Sequence, residues 1–88
     1  MTSHRSKWSK QDIRNARHAD LPSLLQREGL PMREKGGGNF ELLDHPGLIV
    51  KSSYWRWPAE DRQGNTIDLL VDVLGKSFAQ AMRIICGS

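Results

Sequence analysis

The sequence predicts an α+β domain, a small three-stranded antiparallel sheet flanked by N-terminal helices and by two short C-terminal helices. Three observations lead there. Helix start and stop signals recur between Ser9 and Gly29, and residues 39–57 alternate apolar and polar side chains around a cluster of turn formers. From Ile67 to Ile85 the apolar residues return at helical spacing.

Ser9 with Asp12 three residues on is a capping-box pattern, Asp standing in for Glu, and it starts a helix from Lys10 to His18. Asp20 is placed to cap a second helix, Leu21–Glu28, with Pro22 tolerated in its first turn and Gly29 as its left-handed stop. Leu21, Leu24 and Leu25 form the apolar stripe of that helix. Gly36, Gly37 and Gly38 give a flexible turn. With no strand before them and no Lys-Ser/Thr after them, they do not make a phosphate loop.

Strands are expected at Phe40–Leu43, Leu48–Ser52 and Tyr54–Trp57, with the turn formers Asp44, His45, Pro46 and Gly47 between the first two. Alternation puts Leu48 and Val50 on one face and Ile49 and Lys51 on the other. Trp55 and Trp57 likewise share a face opposite Tyr54 and Arg56. Residues 58–64 read as a polar loop. Asn65 then caps a helix carrying Asp68 at its third position, where a carboxylate meets free N–H groups and the positive end of the helix dipole. Ile67, Leu70, Val71 and Leu74 follow, and Gly75 ends the helix. Ser77 and Gln80 make a second capping box, and Phe78, Ala81, Met82 and Ile85 form the apolar face of the last helix.

Eighty-eight residues support one core, not two, and leave little room for a catalytic cleft. With 38% apolar and 26% charged residues the core is small, yet the composition stops short of the disordered signature. A lone cysteine, Cys86, excludes an internal disulfide, and no apolar run approaches the roughly 18 residues of a membrane span. The N-terminus has no apolar segment of a secretory signal, so a cytoplasmic monomer is expected. Residues 1–8 read as a basic flexible arm and 9–86 as a single domain. The last helix runs to Cys86-Gly87-Ser88 without a tail, as in one domain of a longer protein.

Charge is unevenly placed. Residues 1–18 carry Arg5, Lys7, Lys10, Arg14 and Arg17 against Asp12, a net +4, while the remaining 70 residues sum to −1. Such a segment either lies along a phosphate backbone or solvates the chain end. A zinc site would have to draw on His4, His18, His45 and Cys86, scattered and without a Cys-x-x-Cys pair, so no metal or other cofactor is expected. Glu60 and Asp61 in one loop could serve as a carboxylate pair for metal or acid–base work, but adjacent loop residues usually point apart and a solvated pair is the preferred reading. No nucleophile and base stand at working spacing, and the chain reads as a non-enzyme. Tyr54, Trp55, Arg56 and Trp57 interleave aromatic faces with a guanidinium, the composition of a stacking platform for unpaired bases. The alternative is that one or both tryptophans fill the sheet core.

The stretch from Tyr54 to Leu70, YWRWPAEDRQGNTIDLL, resembles without a gap the second half of the zinc-ribbon domain at the N-terminus of bacterial DNA primases. There an aromatic strand enters a Cys-x-x-Cys knuckle, and a Gly-Asn-x-Ile-Asp-Phe/Leu segment opens the next helix. The likeness reaches back through Asn39-Phe40, Leu48 to Val50, Ala16-Arg17 and Asp20-Leu21, covering residues 12–86. Gly64-Asn65-Thr66-Ile67-Asp68 is its sharpest part.

The departures are at the metal. Trp57 and Glu60 stand where the family has its knuckle cysteines, and the upstream ligand turn, Asp44 to Gly47, offers only His45. The resemblance therefore implies a zinc-ribbon-like fold without zinc, stabilised instead by apolar contacts of Trp55 and Trp57. Metal-free ribbons of this kind precede Toprim-type catalytic domains in plasmid and mobile-element proteins. What the resemblance implies is a non-catalytic module that binds a single-stranded DNA template. Arg5, Lys7, Lys10, Arg14 and Arg17 would meet phosphates, and Tyr54 and Arg56 would meet bases. The alternative is a protein-interaction domain that docks onto a Toprim-type catalytic domain, in the same chain, or onto a replication partner.

Overall fold

The computed structural model describes residues 8–86. Ser9 caps α1 (Lys10–Arg17), its side chain accepting from the Asp12 amide while the Asp12 carboxylate accepts from the Ser9 amide, both at 3.0 Å. Asp20 caps α2 (Leu21–Arg27) through the Ser23 amide. Five strands follow: β1 (Met32–Gly36), β2 (Asn39–Leu42), β3 (Ile49–Lys51), β4 (Tyr54–Trp57) and β5 (Arg62–Asn65). They pair antiparallel, each with its sequence neighbour, in the order β1-β2-β3-β4-β5. A 3-10 turn, Pro58–Glu60, joins β4 to β5. Next comes α3 (Thr66–Asp68), which runs into a π-helical turn at Leu69–Val73, and then α4 (Phe78–Cys86).

The sheet thus has five strands where the sequence predicts three. The two additional strands lie at its edges, and their residues, Met-Arg-Glu-Lys-Gly and Arg-Gln-Gly-Asn, are polar and largely without β-branched or aromatic side chains. An edge strand is held by the ladder to one partner and does not need the alternation that marks a buried strand. β1 also alters the reading of the glycines. Gly37 and Gly38 are a tight two-residue hairpin turn between β1 and β2, both at positive φ (62° and 82°), with the Asn39 side-chain amide donating to the Gly36 carbonyl at 3.1 Å. A strand does precede the glycines, but another strand follows them, so they do not open a helix.

The sheet's inner face and α2 share one core, where Leu21, Leu25, Leu42, Leu48, Val50 and Trp55 are buried together with Leu69. Ala16, Ile67 and Met82 form a second cluster under α1, α3 and α4, and Leu24, Leu70 and Ala81 a third. Consecutive leucines therefore enter different clusters, Leu69 on the sheet side and Leu70 on the helical side. The π-helical turn, closed by the Leu74 amide on the Leu69 carbonyl at 3.1 Å, replaces the regular helix expected through Leu74. Thr66 is fully buried and its hydroxyl donates to the Ala19 carbonyl at 2.6 Å, tying α3 to the link between α1 and α2. Arg27 donates to the Ile84 carbonyl at 2.8 Å, tying α2 to α4.

The capping box of the last helix is present, Ser77 with Gln80. Its expected apolar face is partly corrected: Ala81 and Met82 are buried, but Phe78 stays 42% exposed. Trp8, assigned by sequence to the basic arm, is half-buried against the Ala16, Ile67 and Met82 cluster.

Candidate nucleic-acid interface

The orientation of β4 decides which groups reach solvent. Trp55 is 1% exposed and its indole Nε1 donates to the Asn65 carbonyl at 2.9 Å, so the odd positions of β4 face the core. Trp57 follows it inward but is only half-buried. Tyr54 and Arg56 consequently project from the open outer face of the sheet, as alternation predicts.

Register brings further residues to them. Lys51 pairs with Tyr54, Ile49 with Arg56 on one side, and Gln63 with Arg56 on the other. Asn39, Ile49, Lys51, Tyr54 and Arg56 line a shallow depression of about 240 Å³. The Tyr54 hydroxyl donates to Gln63 Oε1 at 2.9 Å, which fixes the ring against the β4–β5 ladder. Further across the face, Arg33 pairs with Glu41, and Lys35 approaches Glu41 at 3.6 Å. The Gly47 amide donates to Glu41 Oε2 at 2.9 Å and holds that carboxyl below its ordinary value of 4.5. Partial desolvation opposes the shift, and the charges of Lys35 and Arg33 add to it.

Lys51 was not among the residues singled out by sequence. Its parity relative to Val50 already placed it on the face away from the core, but only the two-residue turn Ser52-Ser53 sets it opposite Tyr54.

The α1 cations form a second basic surface. Lys10, Arg14 and Arg17 line a depression with Ile13, separate from the one that holds Tyr54 and Arg56. Arg17 also reaches a groove with Asn65 and Asp68, and Asn65 is the ladder partner of Tyr54. Arg5 and Lys7 lie outside the described residues.

Trp57 and the turn from Asp44 to Gly47 are brought together without a ligand set. Trp57 donates from Nε1 to the Pro46 carbonyl at 3.1 Å, and its ring meets the edge of His45 with centroids 5.6 Å apart. His45 is half-buried here, and its Nδ1 is buried without a hydrogen-bond partner among the described residues. One imidazole and an indole do not supply the four nitrogen or sulfur donors of a structural zinc. Among the described residues no three His, Cys, Asp or Glu side chains gather where they could hold a metal ion, and Cys86 is exposed on α4. No helix among those residues is long and apolar enough to cross a membrane.

The sharpest part of the sequence likeness has a local physical reason. Asn65 and Asp68 form a reciprocal capping box at 3.0 Å in both directions. A Cβ on Gly64 would lie 2.6 Å from an Asp68 carboxylate oxygen. Glycine is required there because the carboxylate occupies the space of a side chain. No family model, curated protein or solved structure matches this chain.

Proposed function

We propose that this chain is a non-catalytic module that binds a single strand of DNA along the open face of its sheet, within a primase-like or mobile-element protein of DNA replication or transfer. The observation that carries this reading is the placement of Tyr54, Arg56 and Lys51 around one solvent-facing depression. An aromatic face stacks on an unpaired base whatever its identity, and neighbouring cations follow the phosphates. A shallow sheet surface offers stacking area but no helix or ribbon to enter a duplex groove, which favours a single strand. Lys10, Arg14 and Arg17 extend the phosphate contacts along α1. The resemblance to the primase ribbon supports the same partner, and nucleotidyl transfer would belong to a separate, Toprim-type domain.

One feature favours docking onto such a catalytic domain instead. Phe78 is 42% exposed and lines a groove with Ile13, Ile67 and Val71. Salt separates the two readings, because strand binding weakens steeply as counterions compete for the phosphates, whereas apolar docking hardly responds.

The direct test is an NMR titration of the labelled chain with a short oligothymidine at low salt. Affinity of roughly micromolar to millimolar strength is expected, with shifts centred on Lys51, Tyr54 and Arg56. An absence of shifts at low salt and millimolar DNA refutes strand binding.

A further inference from the structure

Where β4 leaves the sheet, the chain turns through Pro58–Glu60 and returns as β5, and beside this turn lies an open cavity of about 230 Å³ lined by Arg56, Pro58, Asp61, Arg62 and Gln63. Arg56 lines both this cavity and the depression of Tyr54 and Lys51, so the two adjoin at one residue. The polar groups of the cavity are not all available. Arg62 Nη2 donates to the Asp72 carbonyl at 2.6 Å and is held as a wall, and Gln63 Oε1 already accepts from Tyr54, which leaves the Gln63 amide nitrogen as a donor. The Arg56 guanidinium and the Asp61 carboxylate make neither an ion pair nor a hydrogen bond with another described residue. Asp61 is presented by a left-handed backbone (φ 54°), a conformation that non-glycine side chains resist.

The cavity therefore offers one carboxylate acceptor beside two donors, with the Pro58 ring as an apolar wall. A carboxylate in the lining repels a phosphate, so a base edge is the better occupant. Guanine carries two adjacent donors, N1–H and the N2 amino group, next to the O6 acceptor. A carboxylate can accept from both donors at once while Arg56 or Gln63 donates to O6. Adenine and cytosine present a single amino donor beside ring acceptors, and thymine a single imide N–H between two carbonyls that a carboxylate disfavours.

We propose that this cavity is a guanine-selective base subsite at the end of the stacking face, with Asp61 as the residue that sets the preference and Arg56 as the group shared with the neighbouring nucleotide. The inference rests on the strand-binding reading and adds a base preference to it.

The test compares four oligothymidines of equal length whose central residue is thymine, guanine, adenine or cytosine, by fluorescence anisotropy at low salt. The guanine oligomer should bind roughly tenfold more tightly than the all-thymine one. Asp61→Asn should erase most of that preference while leaving all-thymine binding as tight or slightly tighter, since a charge that repels phosphates is removed. Asparagine tolerates the left-handed conformation, so the turn is kept, and an unchanged melting temperature checks that. Equal affinity for all four oligomers, or a guanine preference that survives Asp61→Asn, overturns the subsite and leaves strand binding standing. No binding by any of the four overturns the strand-binding reading and the subsite with it.

Discussion

Trp57 closes onto His45: the indole lies edge to face with the imidazole at 5.6 Å, interplanar angle 79°, and its Nε1 reaches past it to the Pro46 carbonyl. One side chain from the end of β4 thereby holds the turn between β2 and β3. An aromatic contact and one hydrogen bond thus join these two corners of the sheet.

Removing the Trp57 indole should loosen the turn without dismantling the core. Trp57→Ala is expected to cost about 2–3 kcal/mol and Trp57→Phe about 1 kcal/mol, the latter for the missing hydrogen bond. Trp55→Ala, at a fully buried site, should cost about 3–5 kcal/mol and unfold much of the population. Urea denaturation orders the three. A Trp57→Ala chain as stable as the parent would show that the turn is held by its own backbone bonds.

Because the corners are joined by side chains, stability should not depend on metal. Incubation with a strong chelator should leave the circular dichroism and melting temperature unchanged. A drop in melting temperature, restored by added zinc, would contradict this.

The close approach of Gly64 and Asp68 makes a sharper structural prediction. A methyl group at 64 would displace the Asp68 carboxylate from the Asn65 amide, so Gly64→Ala should cost about 1–2 kcal/mol. Asp68→Ala removes the same cap and should cost about 1 kcal/mol, and the double variant should cost less than the two together. Strict additivity in thermal melts would separate the two effects and refute the shared cause.

Glu41 sets a pH window. Its carboxyl is lowered in the folded chain, chiefly by the Gly47 amide, so the charged form favours folding above the ordinary value of 4.5. That contribution should fade as pH falls below 4.5 through the lower folded value. Glu41→Gln should melt below the parent at neutral pH, with the gap closing in acid. Parallel melting curves across this window would show that the Gly47 hydrogen bond does not depend on charge.

The two basic surfaces should respond differently to substitution. Lys51→Ala and Arg56→Ala should each weaken oligothymidine binding several-fold with little change in fold, because both side chains are exposed. Arg14→Ala with Arg17→Ala should chiefly flatten the salt dependence, by roughly one counterion for each phosphate no longer neutralised. Binding insensitive to Lys51 and Arg56 would move the interface off the sheet.

Much of this was legible in the sequence because the informative residues are local. Ser9 with Asp12, Asp20, Asn65 with Asp68 and Ser77 with Gln80 mark helix starts at short range, and parity alone sets Trp55 with Trp57 and Val50 with Leu48 without saying which face is inward. β1 and β5 were not legible, because polar edge strands such as Met32–Gly36 form by pairing with a neighbour and carry no alternation of their own. The same holds for the interface. Tyr54 and Arg56 were marked by composition, whereas Lys51 and Gln63 join them only through register. Asp61 joins the lining of its cavity through a left-handed turn that aspartate tolerates but that the sequence does not locate.

The sheet's order also bears on how the chain reaches its structure. Each strand pairs with the next in sequence, so every ladder closes a short loop and none waits for a distant segment. Such local pairing favours fast folding. During synthesis the ladder can be completed once Asn65 has emerged, before Phe78–Cys86 leaves the ribosome. The packing of α1 and Trp8 around Met82 of α4 joins the two ends of the described chain and has to wait for the last helix. Until then the side of the Ala16 and Ile67 cluster that Met82 covers stands open to solvent, which leaves the nascent domain open to misassociation after its sheet has formed.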